Sequence, residues 1–338
     1  MISYTFLISI FFISVLFNFL LVTFGKKISL NKYKNIQNIH TGFIPRISIL
    51  NFLPIIIFIN FYLELKLNLY LLITFIIIIP AFIEDLGAEV KPIYRFILMI
   101  FGSIFLVLAL EDLPQFNFGS LNIIANNMYF QIIFYSLALA TVTNGQNIID
   151  GTNGLSGLTA LTIFGSLFYL GVYLNDQELI NITTSTIVII LAFLVFNYPS
   201  GKIFLGDSSC YLLGSLAGYL TIKVFGDHPE LPTWSAVIIL YYPTLEVIFS
   251  YFRKLKTGKS PFLPDNKHLH LKIYFMLSNN KMNIKKYNSL VAPFLSIIWL
   301  TPFALLPVSI IYPHLSMIVL ILLILLYIFI YFSIPEPD

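Results

Sequence analysis

Met128-YFQIIFYSLALATVTNGQNIIDGTNGLSGLTALTIFGSLFYLGVY-Leu174 is the stretch on which the reading of this chain turns. Residues 128–144 and 154–174 are apolar runs of the kind that cross a hydrocarbon core as helices. Between them stand Asn144, Asn147, Asp150 and Asn153, together with Gly145, Gly151, Gly154 and Gly157. A membrane sequence at that point should be greasy or simply turn around. Polar groups held at such a place mark a functional site.

The rest of the chain has the same character. Hydrophobic residues make up 58% of its 338 positions, charged residues 10%, and the mean hydropathy is +0.88. That composition lies far from the soluble norm and describes a polytopic integral membrane protein. The net charge of +3 is mild and gives no sign of nucleic-acid binding. A single cysteine, Cys210, allows no internal disulfide and reads as a small packing residue.

Residues 2–24 have no basic residue ahead of them and no small-residue cleavage pattern after them, so they read as a retained first span. Further candidates follow at 47–63, 67–83, 95–110, 128–144, 154–174, 180–198, 208–225, 233–252, 289–311 and 314–333. The expectation is an all-α fold with about 11 transmembrane helices. One transmembrane domain covers 1–338, with a cytoplasmic loop at about 253–288. If odd-numbered spans end inside, only Lys66 and Lys223 of the 19 Lys and Arg residues fall outside. The positive-inside rule then puts the N-terminus outside and the C-terminus in the cytoplasm.

On that topology five polar islands share the cytoplasmic side. They are His40-Thr-Gly42-Phe-Ile-Pro45-Arg46, Glu84-Asp85, Asn144–Leu158, Phe204-Leu-Gly206-Asp207, and the loop segment holding His268 and His270. Adjacent carboxylates at a span end suit metal coordination or general-base work, although an acidic helix cap is the plainer reading. Asn144, Asn147 and Asp150 offer directional hydrogen bonds to a flat heterocycle, while the glycines admit a close backbone or a tight helix contact. Asp207 is either an N-cap or a ligand for a hard cation such as Mg²⁺. His268 and His270, two apart, suit an extended loop rather than one helix face, and with Lys267 and Lys272 they read as an anion clamp.

The order and content of these islands resemble the polyprenyl-phosphate N-acetylhexosamine-1-phosphate transferases of glycosyl transferase family 4. The family includes enzymes that begin lipopolysaccharide O-antigen and teichoic acid assembly, and the phospho-MurNAc-pentapeptide translocase. The resemblance implies transfer of a sugar-1-phosphate from a UDP-N-acetylhexosamine to undecaprenyl phosphate, releasing UMP, in the bacterial inner membrane. It implies Mg²⁺, with Mn²⁺ as the alternative, on Asp207 and Asp85. Glu84 and Asp85 match the acidic pair that binds or deprotonates the lipid phosphate. Asn144, Asn147 and Asp150 match nucleotide-recognition residues, with Phe204, Arg46 and His40 also toward substrate and His268 and His270 near the diphosphate. Glu84 stands where many members carry Asp, Asn153 where an Asp is common, and Leu271 where a further histidine is common. The longer Glu84 side chain favours direct attack over a covalent intermediate. A polytopic transporter and a non-catalytic scaffold of a glycan machine are the alternatives, and a homodimer is the oligomeric option carried forward.

Overall fold

The computed structural model describes residues 2–28, 44–116, 122–261, 263, 265–279 and 285–336. His40 lies outside the described residues. Among these residues the chain is 78% helix with no strand, as its composition requires. Helices α1 (Tyr4–Ile28), α2 (Ile49–Tyr62), α3 (Asn68–Asp85) and α4 (Pro92–Leu108) come first. After the short α5 (Asn122–Ala125) come α6 (Met128–Ile148), α7 (Leu155–Leu174), α8 (Gln177–Asn197) and α9 (Gly206–Asp227). Helices α10 (Thr233–Ile239) and α11 (Tyr241–Lys256) meet at a bend of 83°. Beyond them lies α12 (Leu269–Ser278), in the loop that the sequence marks out. Three pieces, α13 (Lys285–Phe294), α14 (Ser296–Trp299) and α15 (Thr301–Ile311), run nearly end to end, and α16 (Ser316–Ser333) closes the chain.

All eleven expected segments are helical over most of their length, but they do not all have the makings of a span. Among the described residues six helical stretches are long and apolar enough to cross a membrane, or seven if α10 and α11 count as one bent span. The other four are α2, α4, α6 and α9. With 14 and 17 residues, α2 and α4 are short. The amides that end α6, and the serines and charged groups of α9, dilute their apolar character.

Helix α9 is the axis of the assembly. Nearly all of its residues are buried, and it packs against α3 and α6. Small residues permit the approach: a Cβ added at Gly214 would stand 2.8 Å from the Thr143 Cα of α6. One apolar core joins α1 to α9 and takes in Ile239 of α10 and Leu306 and Ile310 of α15, while a second gathers the rest of α10 to α16. Ile149 and Leu155 belong to the second core, whereas Val142 and Ala160 belong to the first. The polar island between them therefore sits at the seam where the two cores meet.

Candidate active site

The site begins with two backbones laid side by side. Phe204 N donates to Pro45 O at 3.0 Å, and Ser48 Oγ donates to Phe204 O at 2.7 Å. Phe204 itself is buried. Gly206 then turns with φ +76°, and a Cβ there would lie 2.0 Å from Arg46 O. Only glycine fits. This contact brings Arg46 to the start of α9.

That start is capped from a distance. Asp85, the last residue of α3, accepts from Asp207 N at 3.0 Å and from Ser208 N at 2.9 Å, as well as from the Ser208 hydroxyl. The free amides at a helix N-terminus need such an acceptor and favour its negative charge. The capping role that the sequence offers to Asp207 therefore falls to Asp85, and Asp207, inside the first turn, turns its carboxylate elsewhere. Arg95 of α4 pairs with Asp207 Oδ2, and Arg46 Nη2 stands 3.7 Å from Oδ1. Arg95 also meets Glu84 Oε2 at 3.0 Å. Asp150 completes the group, with Oδ2 3.9 Å from Arg46 Nη2 and accepting from Gly206 N at 3.3 Å. Burial pushes the Asp150 carboxyl up to about 7, against the opposing pull of Arg46.

Glu84, Asp85, Asp150 and Asp207 thus converge with Arg46 and Arg95. Fully ionised, four carboxylates and two guanidiniums leave a surplus of two negative charges, which one divalent cation would offset. The donors are hard oxygens, suited to Mg²⁺. Among the described residues no three His, Cys, Asp or Glu side chains form a ready-made metal cage. That is no misfit, because Mg²⁺ commonly takes one or two carboxylates and completes its shell with water and substrate phosphates.

Asn144 and Asn147 lie one turn apart on α6, both half-buried. They belong to the end of that helix rather than to a loop beyond it. Asn153 is spent inside the protein: its Nδ2 donates to Pro199 O at 2.8 Å, and its backbone N donates to Asn288 Oδ1 at 2.7 Å. Leu271 is buried in the second apolar core. These two departures from the family pattern are therefore filled by packing.

The histidines reach the same place from the other side. His268 precedes α12 and His270 lies within it, so the extended loop expected from their spacing is instead a helix start. Their rings are nearly parallel with centroids 5.9 Å apart. His270 abuts the polar island, since a Cβ on Gly151 would come within 2.5 Å of its Nε2. Burial pushes the His270 imidazole down to about 3, so it is neutral at physiological pH. Lys267 and Lys272, expected to clamp an anion, have partners within the protein. Lys267 pairs with Glu336, and Lys272 Nζ donates to Tyr331 O at 2.7 Å.

Two charged residues of the site carry no local motif in the sequence. Arg95 stands there only as one of the basic residues that set the topology. Glu246 lies inside the expected span 233–252, and an ionisable group at such a position is itself a signal.

Comparison with known proteins bears on this arrangement. The family model described as glycosyl transferase family 4 matches residues 67–225, which hold Glu84, Asp85, Asn144, Asn147, Asp150 and Asp207. The chain is similar to the undecaprenyl-phosphate alpha-N-acetylglucosaminyl 1-phosphate transferase of Thermotoga maritima, 31% identical over 41% of each chain. To the protein of the same description in Escherichia coli K12 it is 25% identical over 78% of this chain and 74% of the relative. A decaprenyl-phosphate N-acetylglucosaminephosphotransferase of Mycobacterium leprae is 29% identical over 41% of this chain and 40% of the relative. Residues 67–225 thus match glycosyl transferase family 4, and the relatives to which the chain is similar are phosphoglycosyltransferases named for polyprenyl-phosphate acceptors.

Proposed function

We propose that the protein transfers a sugar-1-phosphate from a UDP-N-acetylhexosamine to undecaprenyl phosphate at the cytoplasmic face of the bacterial inner membrane. The products are UMP and a lipid-linked diphosphosugar that primes assembly of a cell-envelope glycan such as lipopolysaccharide. The observation that carries this reading is the convergence of Glu84, Asp150 and Asp207 on Arg46 and Arg95, beside the ends of α3 and α6 and the start of α9. A diphosphate needs cationic partners and hard-cation ligands together, and this cluster holds both.

The residues divide the work by position. Asp207 would be the principal ligand for Mg²⁺ or Mn²⁺, with Glu84 or Asp150 beside it, while Asp85, expected from the sequence to share the metal, is taken up by the backbone amides of Asp207 and Ser208. A bound cation supplies Lewis-acid polarisation of the diphosphate. Glu84, with its side chain 30% exposed, stands at the open edge, where it can accept the proton of an incoming lipid phosphate. An oxygen of that phosphate attacks the β-phosphorus, and the bond to the UMP oxygen breaks. Arg46 and Arg95 neutralise the charge that develops on the leaving group. Asn144 and Asn147 hydrogen-bond the uracil, and His268 and His270 flank the diphosphate. The acceptor is a lipid, which accounts for a catalytic site built at the ends of membrane helices.

Membranes containing the protein, supplied with undecaprenyl phosphate and Mg²⁺, should release UMP from a UDP-N-acetylhexosamine. A panel of such donors identifies the sugar. Silence with every donor, or undiminished release from Asp207→Ala, would overturn this reading.

A further inference from the structure

Glu246 is a buried carboxylate that the chemistry above leaves unused. It lies on α11 and is 1% exposed. Its Oε1 is hydrogen-bonded to His268 Nδ1 at 3.0 Å and accepts from Leu269 N at 3.1 Å, and its Oε2 accepts from the Tyr327 hydroxyl at 2.8 Å. Burying an ionised carboxylate is costly unless its oxygens are satisfied. Among the described residues its ion-pair partner is an imidazole rather than Lys or Arg. One oxygen therefore holds both the His268 ring and the first amide of α12.

The histidine pair is fixed by what surrounds it. His268 Nε2 stands 3.8 Å from Asp265 Oδ1, and Arg253 grips Asp265 through two nitrogens at 2.8 and 3.2 Å. The His270 ring lies parallel to that of His268 and reaches Gly151, next to Asp150. His270 Nδ1 is buried with no partner among the described residues. A carboxylate on one ring nitrogen sets the tautomer and plane of an imidazole.

We propose that Glu246 is a positioning residue for the histidine pair: it keeps the proton on His268 Nδ1 and anchors the start of α12, so that His268 stays stacked beside His270, whose ring edge meets Gly151, and both rings are held toward the substrate diphosphate. This rests on the phosphotransferase reading. A purely architectural role needs an acceptor for the His268 and Leu269 bonds, which a glutamine oxygen supplies without the charge, although its NH2 cannot accept from the Tyr327 hydroxyl.

The test compares wild type, Glu246→Gln, His268→Asn and the double variant by UMP release, with kcat and KM for the UDP-sugar measured separately. Imidazole ¹⁵N spectra of the purified protein accompany the kinetics, His268 being identified by its loss in His268→Asn. Glu246→Gln should lower kcat about 10- to 100-fold while KM changes little. It should also shift the His268 nitrogen signals, and the double variant should be no slower than His268→Asn alone. An unchanged kcat in a folded Glu246→Gln, or losses that multiply in the double variant, would overturn the proposal. Should Glu246→Gln fail to fold, Tyr327→Phe removes one bond only and should still move the His268 signals and reduce kcat a few-fold; no change would count against the idea. If wild type releases no UMP from any donor, the phosphotransferase reading falls by itself. The spectra then still decide whether Glu246 governs the His268 proton.

Discussion

At the scale of single residues the site is a contest between burial and charge, and Asp207 and Asp150 stand on different sides of it. Asp207 has its side chain 15% exposed and is flanked by two guanidiniums, so its charge is available to a ligand. Asp207→Ala should therefore cost at least about 10²- to 10³-fold in UMP release, the scale of losing a principal electrostatic group. Its effect on thermal stability should be small. Asp150 is almost sealed, and burial raises its pKa from 3.8 to about 7. The folded protein thus holds this proton more tightly than the unfolded chain. The contribution is most favourable below pH 3.8 and is lost as pH rises through the window from 3.8 to about 7. Thermal melts of the metal-free protein in detergent should show that loss, and Asp150→Asn should flatten the slope and gain ~1–3 kcal/mol at pH 8. An Asp150→Asn melting curve that follows wild type across the window would refute the assignment of that slope to Asp150.

At the scale of elements the decisive event is α3 ending where α9 begins. Asp85 closes the α9 N-terminus across 122 residues of sequence, so no local pattern could announce it. Asp85→Ala should uncap the helix at a cost of about 1–2 kcal/mol, lowering Tm by roughly 2–4 °C per kcal/mol. Asp207→Ala, whose backbone amide Asp85 still caps, should leave Tm nearly unchanged. Melting both variants separates the capping carboxylate from the carboxylate proposed to hold the cation. The same distinction explains what could be read from sequence. Asn144, Asn147 and Asp150 stood out because amides and a carboxylate interrupt apolar runs, and Glu84-Asp85 because it ends one. Each is a local contrast. The partner of Asp85, the bridge of Arg95 between Glu84 and Asp207, and the hold of Glu246 on His268 are long-range meetings that periodicity does not encode. The histidine spacing also misled, since a pair two apart cannot share a helix face but can straddle a helix start.

At the scale of the whole molecule the paired carboxylates, the arginines and the histidines come together at the seam of two apolar cores, and the question becomes which side of the membrane that seam faces. The basic residues argue for the cytoplasm, since a site-side location of all but Lys66 and Lys223 follows from one alternating topology. The short and polar helices α2, α4, α6 and α9 make that topology worth testing directly, because removing one crossing would invert every later loop. The only native cysteine, Cys210, is fully buried, so the wild-type chain gives a quiet background for thiol labelling. Lys66 and Glu111 are exposed on the side opposite the site, and Lys202 and Lys259 are exposed on its own side. In spheroplasts, a membrane-impermeant maleimide should label Lys66→Cys and Glu111→Cys at once, and Lys202→Cys and Lys259→Cys only after permeabilisation. Labelling of Lys259→Cys in sealed spheroplasts would place the histidine loop outside. A cytoplasmic nucleotide donor could not then reach it, and the proposed reaction would lose its substrate before any kinetic measurement was made.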